Sequence, residues 1–580
     1  MAVVTAAAIV LLGGGTPAPS PSGSVSHTHS SPQALPGSGF DVKAENAKAG
    51  TRDWRISRTT KSGDIEGWAD RASIHVGESV GLAVSTTSPT YEVSVFRMGW
   101  YGGALARLVT HIGPKPGHKQ APFTFIQQTR TITTNWPREL TISTRGWAPG
   151  DYLFRLEASN GSQHYVPLTV RDVSAVGRLV IVNAVTTWQA YNAWGGYNIY
   201  NGPDQAFDTR SYAVSFDRPY DREGAGDFVG AELPALALAE RLGLPVAYAT
   251  DIDLHADLTT LTGATSVITL GHDEYWSTGM RNQVTQARDA GVNVAFLGAN
   301  AVFRHIRLRD SEVGPNRLEI CYKRPGPDPY TTIHPKESTV DWREPPLGMP
   351  ESTLTGVYYE CNPVSAPLVI TDPSFWMFAE QQLPAGAQLP KLVGSEYDRV
   401  NPGVPTPTGI QVVTHSPVTC RNIPSYSDSS YYTVASGAGV FSTGTSLWVS
   451  ALDTECGDPN CVAPLATSVP GKKVIDIVTA ATAKLFRAFS VGPAAQRYPA
   501  MSNLSTINEH RGDPIQTGTH RSTSPDEAST PHPSSSPGFG RPSPSGSPTT
   551  SPSHSPAPSA KPSPTPARSP SALPIPAQPR

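Results

Sequence analysis

The sequence lacks an excess of charge of either sign. Its 45 lysine and arginine residues nearly balance 48 aspartate and glutamate residues, giving a formal net charge of −3 and a pI near 6.6. A protein that binds nucleic acid or an anionic membrane surface through a broad electrostatic footprint needs a basic excess. The composition therefore predicts neither of these partners.

Long hydrophobic runs are also missing. The apolar part of "MAVVTAAAIVLLGGGTPAPS" at the N-terminus is shorter than the roughly 20 residues that span a bilayer. It has the length of a signal-peptide core, although no lysine or arginine precedes it. We therefore expect residues 1–20 to be a possible signal peptide, with no membrane span and a secreted or cell-surface location.

Cysteine is scarce, with five residues in the chain. Cys456 and Cys461 bracket the turn-rich "CGDPNC" and could close a small disulfide. Cys321 and Cys361 are a second possible pair, which would leave Cys420 unpaired. No pair shows the CxxC…CxxC spacing of a zinc site.

Composition and periodicity divide the chain into segments. Serine, proline and glycine predict a disordered linker over 21–40 and a disordered Ser/Pro-rich tail over 496–580. Short alternating runs such as "SIHVGESVGLAVST" predict an immunoglobulin-like β-sandwich domain over 41–173. From 174 to 495, apolar strands alternate with helical patterns and predict a parallel α/β domain.

One helix of the α/β domain has clear sequence boundaries. Ser277 is a typical N-cap, Met280 and Val284 begin an inward stripe, and Gly291 ends the pattern. The strand "VITLG" precedes this helix and "VNVAFLG" follows it. This strand–helix–strand order predicts neighbouring parallel strands.

Polar and aromatic residues follow each predicted strand of the α/β domain at its carboxyl end, where open α/β sheets gather functional groups. We expect them to share one cleft. The segments are "TTWQAYNAW" with Trp188 and Tyr191, "TDIDLH" with Asp251 and Asp253, "GHDEYW" with His272, Asp273 and Glu274, and "GANAVF" with Asn300.

Each candidate also has a structural interpretation. Asp251 and Asp253 could cap the following helix, and Tyr191 could be a core residue. His272 and Glu274 could form a salt bridge that fixes the loop, and Asn300 could be a turn residue. Pattern alone leaves these alternatives open.

Several motifs together resemble the large (β) subunit of N,N-dimethylformamidase and its single-chain relatives. The resemblance covers about 65–490. Its motifs are "FRMGWYGGALARLV", "TTWQAYNAWGG", "VSFDRPY", "TDIDLH", "GHDEYWS", "FLGANAVF", "LVGSEYD" and "GVFSTGTSLW". It implies a β-sandwich followed by an α/β domain of glutamine-amidotransferase-like topology.

The resemblance also implies a mononuclear iron held by two tyrosinates and a carboxylate. Tyr191 and Glu274 match the first tyrosine and the carboxylate. His272 and Asn300 match positions that contact the ligands or the substrate. Glu396 matches a further acidic residue. Phe441 matches an aromatic residue of the substrate pocket, to which we also assign Trp188 and Asp253.

One position departs from this pattern. The second tyrosine falls at Phe216 of "VSFDRPY", and phenylalanine cannot ligate a metal. Tyr220 is then the expected substitute. Alternatively, His272 completes a different triad with Tyr191 and Glu274, or the iron is absent.

The resemblance favours a secreted amide (C–N) hydrolase acting on a small or medium amide. In that reaction His272 or Glu396 would move the proton and Asn300 would hydrogen-bond the developing oxyanion. Two other functions stay open. One is a non-catalytic surface protein in which the sandwich binds polysaccharide and the α/β domain is a relic. For this surface protein, as for the amide hydrolase, we expect an association with the cell wall through the tails. The other is a glycoside hydrolase using Glu274 with Asp253 or Glu396. The oligomeric state and the need for a small subunit stay undetermined.

Overall fold

The computed structural model of the protein describes residues 39–57, 63–454 and 470–509. Within them the chain is mostly β-structure with few helices, and its sheets combine parallel and antiparallel pairs. No helix in this part of the chain is long and apolar enough to cross a membrane. The predicted signal peptide and the Cys456–Cys461 loop lie outside the described residues.

The N-terminal part contains two packed sheets, with strand orders β1-β3-β8 and β2-β10-β9-β4-β5, and a small β6–β7 hairpin. The first helix, α1, spans Val42–Asn46. The strands are β1 Ile65–Ala69, β2 Ser73–His75, β3 Ser79–Thr86, β4 Thr90–Met98, β5 Ala106–Pro116, β6 Thr124–Ile126, β7 Thr131–Thr133, β8 Leu140–Ser143, β9 Gly150–Ala158 and β10 Gln163–Arg171.

Alternation of side chains explains how these strands build a core. In β4, Tyr91, Val93 and Val95 are buried, whereas Glu92 and Ser94 between them are half-buried. Successive residues of a strand point to opposite faces, so the apolar set faces the other sheet. Buried residues of both sheets form one hydrophobic cluster.

A nine-stranded sheet, in the order β13-β11-β14-β16-β23-β22-β21-β19-β20, is the centre of the larger C-terminal part. The first five strands of this order run parallel to one another. The remaining neighbouring pairs, from β23–β22 to β19–β20, are antiparallel. The strands are β11 Leu179–Asn183, β13 Val246–Thr250, β14 Ser266–Gly271, β16 Asn293–Gly298, β19 Tyr358–Ile370, β20 Ala387–Arg399, β21 Gln411–Cys420, β22 Ile423–Thr433 and β23 Gly439–Ser442.

A four-stranded sheet, in the order β12-β18-β17-β15, lies outside the nine-stranded sheet in the strand pairing. Its strands are β12 Ala213–Ser215, β15 Tyr275–Ser277, β17 Arg304–Arg309 and β18 Leu318–Ile320. β15 and β17 directly follow the loops at the carboxyl ends of β14 and β16. The pairing of β15 with β17 in this second sheet therefore holds the C-terminal ends of both loops.

Helices complete the larger part. They are α2 Val185–Tyr191, α3 Gly226–Ala231, α4 Leu233–Arg241, α5 Asp251–Ala256, α6 Thr278–Asp289, α7 Tyr330–Ile333, α8 Ser352–Thr355, α9 Lys472–Phe489 and α10 Leu504–Glu509. The predicted helix after Ser277 is confirmed. The Ser277 side chain accepts a hydrogen bond from the Met280 N–H, and Met280, Val284 and Ala287 are buried.

The folded part of the chain continues beyond residue 495, the predicted end of the α/β domain. Residues 496–509, which the composition assigned to a disordered tail, include α10, whose Ile507 is buried in a core cluster. The Asn503 side chain also exchanges hydrogen bonds with the backbone of Val412. These tertiary contacts compensate for the weak local pattern of the stretch.

A buried ion pair joins the sandwich to the larger part. The Arg97 guanidinium on β4 donates to Glu240 on α4 at 2.7 Å, and both side chains are fully buried. The Tyr248 hydroxyl donates to the same Glu240 oxygen at 2.5 Å. Because both charges are removed from water, loss of either partner would leave an uncompensated buried charge.

The disulfide pairing corrects a sequence prediction. Cys361 pairs with Cys420, not with Cys321, which is a buried free thiol. Cys361 lies on β19 and Cys420 at the end of β21, two adjacent antiparallel strands that bring their Cα atoms within 6.3 Å. Strand order, which chain spacing does not reveal, sets this pairing.

Candidate functional site

Two glycines bring the ends of β14 and β16 unusually close. Gly271 and Gly298 are paired in register, and a Cβ atom on Gly298 would lie 1.8 Å from the Gly271 carbonyl oxygen. Only glycine fits this contact. Directly after the pair, the Asn300 Nδ2 reaches to 3.4 Å from the His272 Nε2. The two loops therefore share one rim, as the strand-end rule predicts.

Three side-chain oxygens converge beside these loops. The Tyr191 hydroxyl, at the end of α2, donates to Glu274 Oε2 at 2.7 Å. The Tyr200 hydroxyl lies 2.5 Å from that of Tyr191 and 3.0 Å from the same Glu274 oxygen. The two tyrosine rings are stacked, with centroids 4.5 Å apart. This group, Tyr191, Tyr200 and Glu274, is called the oxygen triangle below.

The loop after α2 folds back to place Tyr200. The Asn198 side-chain oxygen accepts from the Tyr200 N–H at 2.8 Å, and its Nδ2 donates to the Tyr191 carbonyl at 3.2 Å. The Ile199 N–H donates to the Ala190 carbonyl at 3.0 Å. These bonds tie the loop to the end of α2 and set the two tyrosines side by side.

Glu274 is fixed on its other side by a cation. The Arg304 Nε donates to Glu274 Oε1 at 3.2 Å, and Arg304 also forms a close ion pair with Asp341. The Glu274 N–H donates to the Thr187 hydroxyl at 3.0 Å. Because Glu274 is buried and held at one oxygen, its second oxygen points at the two phenols.

A second cation lies against the triangle. The Lys323 Nζ, buried within the larger part, is 3.2 Å from the centroid of the Tyr200 ring. The Tyr275 hydroxyl donates to that of Tyr200 at 2.7 Å. Positive charge at an aromatic face is favourable, and it also favours negative charge on the phenol oxygen.

His272 connects the triangle to a second carboxylate. Its Nε2 lies 3.0 Å from Glu396 Oε2 and 3.4 Å from Glu274 Oε2. Burial lowers the pKa of His272, but the carboxylates of Glu396 and Glu274 outweigh burial and raise it to about 9. The imidazole therefore holds a proton between two acids at neutral pH.

Asn300 is held in place by its backbone. Its φ of +60° is in the left-handed region, which asparagine tolerates better than most residues. Its N–H donates to Asp398 Oδ1 at 2.8 Å. The side-chain amide is thereby directed toward His272, so Asn300 belongs to the same site as the three oxygens.

The buried phenols of the site resist ionisation. Burial, followed by the charge of Glu274, raises the pKa of Tyr191 well above its ordinary value. Burial and Glu274 raise the pKa of Tyr275 in the same way. A tyrosinate at this position therefore needs a strong positive charge beside it, such as a metal ion.

The oxygen triangle fits the donor set implied for iron. Its oxygens are separated by 2.5 to 3.0 Å, close to the spacing of about 3 Å between neighbouring ligands that lie ~2 Å from one ion. Hard oxygen donors suit a hard cation. Within the described residues, no group of three or more His, Cys, Asp and Glu side chains is placed to hold a metal. A set of side chains that matches the donor set implied for iron is found here once the two phenols are included.

Tyr200, and not the Tyr220 expected from the sequence, has its hydroxyl beside the Tyr191 hydroxyl and the Glu274 carboxylate. The Tyr220 ring packs against Trp188, with centroids 6.3 Å apart, and lines a pocket with Trp188, Tyr191 and Phe228. The Phe216 ring is buried in the core. Sequence analysis missed Tyr200, although "GGYNIY" directly follows the quoted "TTWQAYNAW", because the return of this loop depends on tertiary hydrogen bonds.

Two residues assigned to the substrate pocket have structural roles. Asp253 forms a capping box with Thr250 at the start of α5 and accepts a hydrogen bond from Ser73 at 2.5 Å. Phe441 is fully buried on the central strand β23 and packs against Trp448. These contacts explain the burial of both side chains, and their assignment to the substrate pocket stays a prediction. Trp188 does line the pocket beside Tyr191.

The position of His272 argues against the carboxylate-pair glycosidase. Glu274 and Glu396 both lie within 3.4 Å of the His272 Nε2, so the imidazole occupies the space between them. A glycosidase needs that space for a sugar ring. In the alternative pair, Glu274 with Asp253, the Asp253 carboxylate is engaged in the capping box of α5.

The fold and the site together define a class of protein. It is a mostly β protein with mixed sheets, in which tyrosine and carboxylate oxygens meet in a buried site beside a histidine. A family model described as N,N-dimethylformamidase beta subunit-like, C-terminal, matches residues 92–461, which is more than half of the chain. The chain belongs to the N,N-dimethylformamidase beta subunit-like family.

Solved structures add little to this result. A cycloisomaltooligosaccharide glucanotransferase from Paenibacillus sp., complexed with cycloisomaltoheptaose, is 12% identical with a TM-score of 0.14, and the match covers 24% of this chain and 19% of that one. Cwp6 from Clostridium difficile is 12% identical with a TM-score of 0.11, covering 40% and 36%. These matches span well under half of either structure's length and carry no argument. No curated protein matches the chain.

Proposed function

We propose that the protein is an amide hydrolase that cleaves a C–N bond at the oxygen triangle. Family membership supports this function. The single observation that carries it is the convergence of the Tyr191, Tyr200 and Glu274 oxygens within 3.0 Å, next to the His272–Glu396 pair. Such a group has no evident packing purpose, because it places buried polar and charged groups together at a cost.

Tyr191, Tyr200 and Glu274 would hold a single iron ion. When bound, the ion would act as a Lewis acid toward the amide carbonyl. Arg304 would keep Glu274 oriented through its Oε1, and Lys323 would favour the anionic form of Tyr200. The choice of Tyr200 replaces Tyr220 in our sequence-based proposal.

The neighbouring side chains supply the proton chemistry. Water would add to the amide carbon, and His272, whose Nε2 lies 3.0 Å from Glu396 Oε2, would give a proton to the departing amine as the C–N bond breaks. The Asn300 side-chain amide lies 3.4 Å from the same His272 nitrogen and would donate to the carbonyl oxygen as negative charge develops there. The three side chains thus divide proton donation and charge stabilisation between them.

The pocket beside Tyr191 would receive the substrate. Its wall includes the aromatic side chains Trp188, Tyr220 and Phe228. It also includes the charged side chains Asp227 and Arg222. Aromatic walls favour alkyl groups and exclude water from the reaction. A small or medium amide with an apolar substituent suits this pocket.

The experiment that tests the proposal uses the purified full chain. We expect iron near one equivalent, a visible tyrosinate-to-iron absorption band, and release of amine from members of a panel of formamides, acetamides and benzamides. Glu396→Gln should retain the iron and lose amine release. A protein that takes up no iron and releases no amine from any amide would contradict the proposal and favour the non-catalytic surface protein.

Location and topology are proposed on further grounds. The Cys361–Cys420 disulfide supports export, since disulfides persist mainly in oxidising compartments. The two packed N-terminal sheets support an immunoglobulin-like sandwich, and the five parallel strands support a glutamine-amidotransferase-like topology. Cell-wall association through the tails stays part of this proposal.

A further inference from the structure

The strand pairing opposite Glu396 contains a β-bulge. Residues 362–363 of β19 face the single residue Glu396 of β20, between the pairs Cys361–Tyr397 and Val364–Ser395. A bulge changes the direction of a side chain, and bulges are frequent next to active sites. Here it turns Asn362 toward Glu396, and the Asn362 Nδ2 donates to Glu396 Oε1 at 3.0 Å.

The bulge is clamped from the neighbouring strand. Cys361, directly before Asn362, forms the disulfide with Cys420, and Arg421 follows Cys420. The Arg421 Nε donates to the Asn362 carbonyl at 3.2 Å, and its Nη2 donates to the Asn362 Oδ1 at 3.4 Å. These contacts fix which end of the Asn362 amide faces the carboxylate.

Asn362 thus holds one oxygen of Glu396 while the other oxygen faces His272. We propose that Asn362 is a positioning residue, which the bulge, the disulfide and Arg421 hold so that Glu396 stays against His272. The proposal rests on the amide hydrolysis proposed above. Asn362 does not reach the oxygen triangle through these contacts, so it acts through Glu396 and not on the substrate.

The variant Asn362→Asp tests this role in the oxidised full chain. It keeps the shape and the acceptor for Arg421, but replaces the donor to Glu396 with a second carboxylate oxygen. We expect kcat to fall about ten- to hundredfold, the usual effect of losing a partner that orients a functional side chain, while KM and the iron absorption band stay unchanged. Asn401→Asp is the matched control, because the Asn401 Oδ1 accepts from the Gly403 N–H, and an aspartate oxygen can accept the same bond.

Wild-type kcat in a folded Asn362→Asp variant would overturn the proposal. If that variant fails to fold, Asn362→Ala is to be crystallised. Its Glu396 Oε2 should then have left the His272 Nε2, and an unchanged separation near 3.0 Å would overturn the proposal. If the wild-type protein releases no amine at all, the proposed function fails by itself, and the crystal structure still decides whether Asn362 positions Glu396.

Discussion

The phenol oxygen of Tyr200 lies 2.5 Å from that of Tyr191, and both lie within 3.0 Å of one Glu274 oxygen. Tyr191 comes from a helix end, Tyr200 from a loop and Glu274 from the loop after a strand. Three separate segments of the chain thus each supply one side-chain oxygen that could act as a metal ligand. A packing role would not require the three oxygens to face each other.

Tyr200→Phe should therefore abolish iron binding, although it leaves the ring stacking intact. Loss of one of three ligands removes both charge and a coordination position. The measurement is iron content together with the visible absorption band of the purified variant. Tyr220→Phe is the control, because the Tyr220 ring packs against Trp188 and lines the pocket beside Tyr191. Retained iron in Tyr200→Phe, or its loss in Tyr220→Phe, would return the ligand role to Tyr220.

Gly298→Ala should destabilise the protein and disrupt the site. The added Cβ would meet the Gly271 carbonyl oxygen at 1.8 Å, and backbone atoms on paired central strands cannot move aside easily. Overpacking of this kind costs about 1–3 kcal/mol of the free energy of unfolding, and we expect the upper end. Thermal unfolding measures the effect.

Gly326→Ala is the control for this prediction, because nothing lies within 4 Å of the Cβ it would gain and its φ is not in the left-handed region. Equal melting temperatures for the two variants would show that the ends of β14 and β16 are not in tight contact. A change confined to Gly298→Ala would support the glycine contact as the reason why His272 and Asn300 meet.

Local patterns predicted the parts of the fold that depend on local interactions. Ser277 and Gly291 marked a helix, and the structure has α6 at Thr278–Asp289. The strand-end rule placed His272 and Asn300 at one rim because it follows from the geometry of parallel strands. These predictions needed only neighbours in sequence and the direction of the strands.

Tertiary contacts decided what the sequence did not reveal. Tyr200 is placed by Asn198, whose bonds depend on how the loop returns to α2. The sequence predicted strands alternating with helices and a parallel sheet over 174–495, yet this region also contains the long antiparallel strands β19 to β22. The bulges in β19 explain this, since an extra residue breaks the period of two on which strand recognition depends.

Removing the disulfide should lower stability substantially. A cross-link between residues 59 apart restricts the unfolded chain by an amount worth about 4 kcal/mol in the loop-entropy model. The double variant Cys361→Ser with Cys420→Ser should therefore melt at a lower temperature than the wild type. Cys321→Ser, at a buried free thiol, is the control for loss of a cysteine without loss of a cross-link.

Peptide mapping without reductant checks the pairing itself. A cross-linked fragment should contain Cys361 and Cys420, and the Cys321 fragment should carry a free thiol after unfolding. A fragment joining Cys321 to Cys361 would instead support the pairing considered from sequence. It would also remove the clamp proposed for Asn362.

The contribution of Asp151 to the stability of the protein should fall as the pH rises from about 4 to about 7. Burial raises the pKa of Asp151 to about 7, although hydrogen bonds from Thr169 and Asn183 oppose the shift. In this pH range the folded state binds more protons at Asp151 than the unfolded state, so unfolding becomes easier as pH increases. A shift of about three units corresponds to roughly 4 kcal/mol at most.

Asp151→Asn should remove this part of the pH dependence. The amide keeps an acceptor for Asn183 and carries no charge to bury, so the variant should gain stability over the wild type progressively between pH 4 and pH 7. Denaturant unfolding at several pH values measures the difference. Glu312→Gln is the matched control for the loss of a carboxyl, because Glu312 is exposed. If the difference between Asp151→Asn and wild type is instead the same at pH 4 and pH 7, Asp151 ionises in the folded protein as it does in the unfolded chain, which contradicts the prediction.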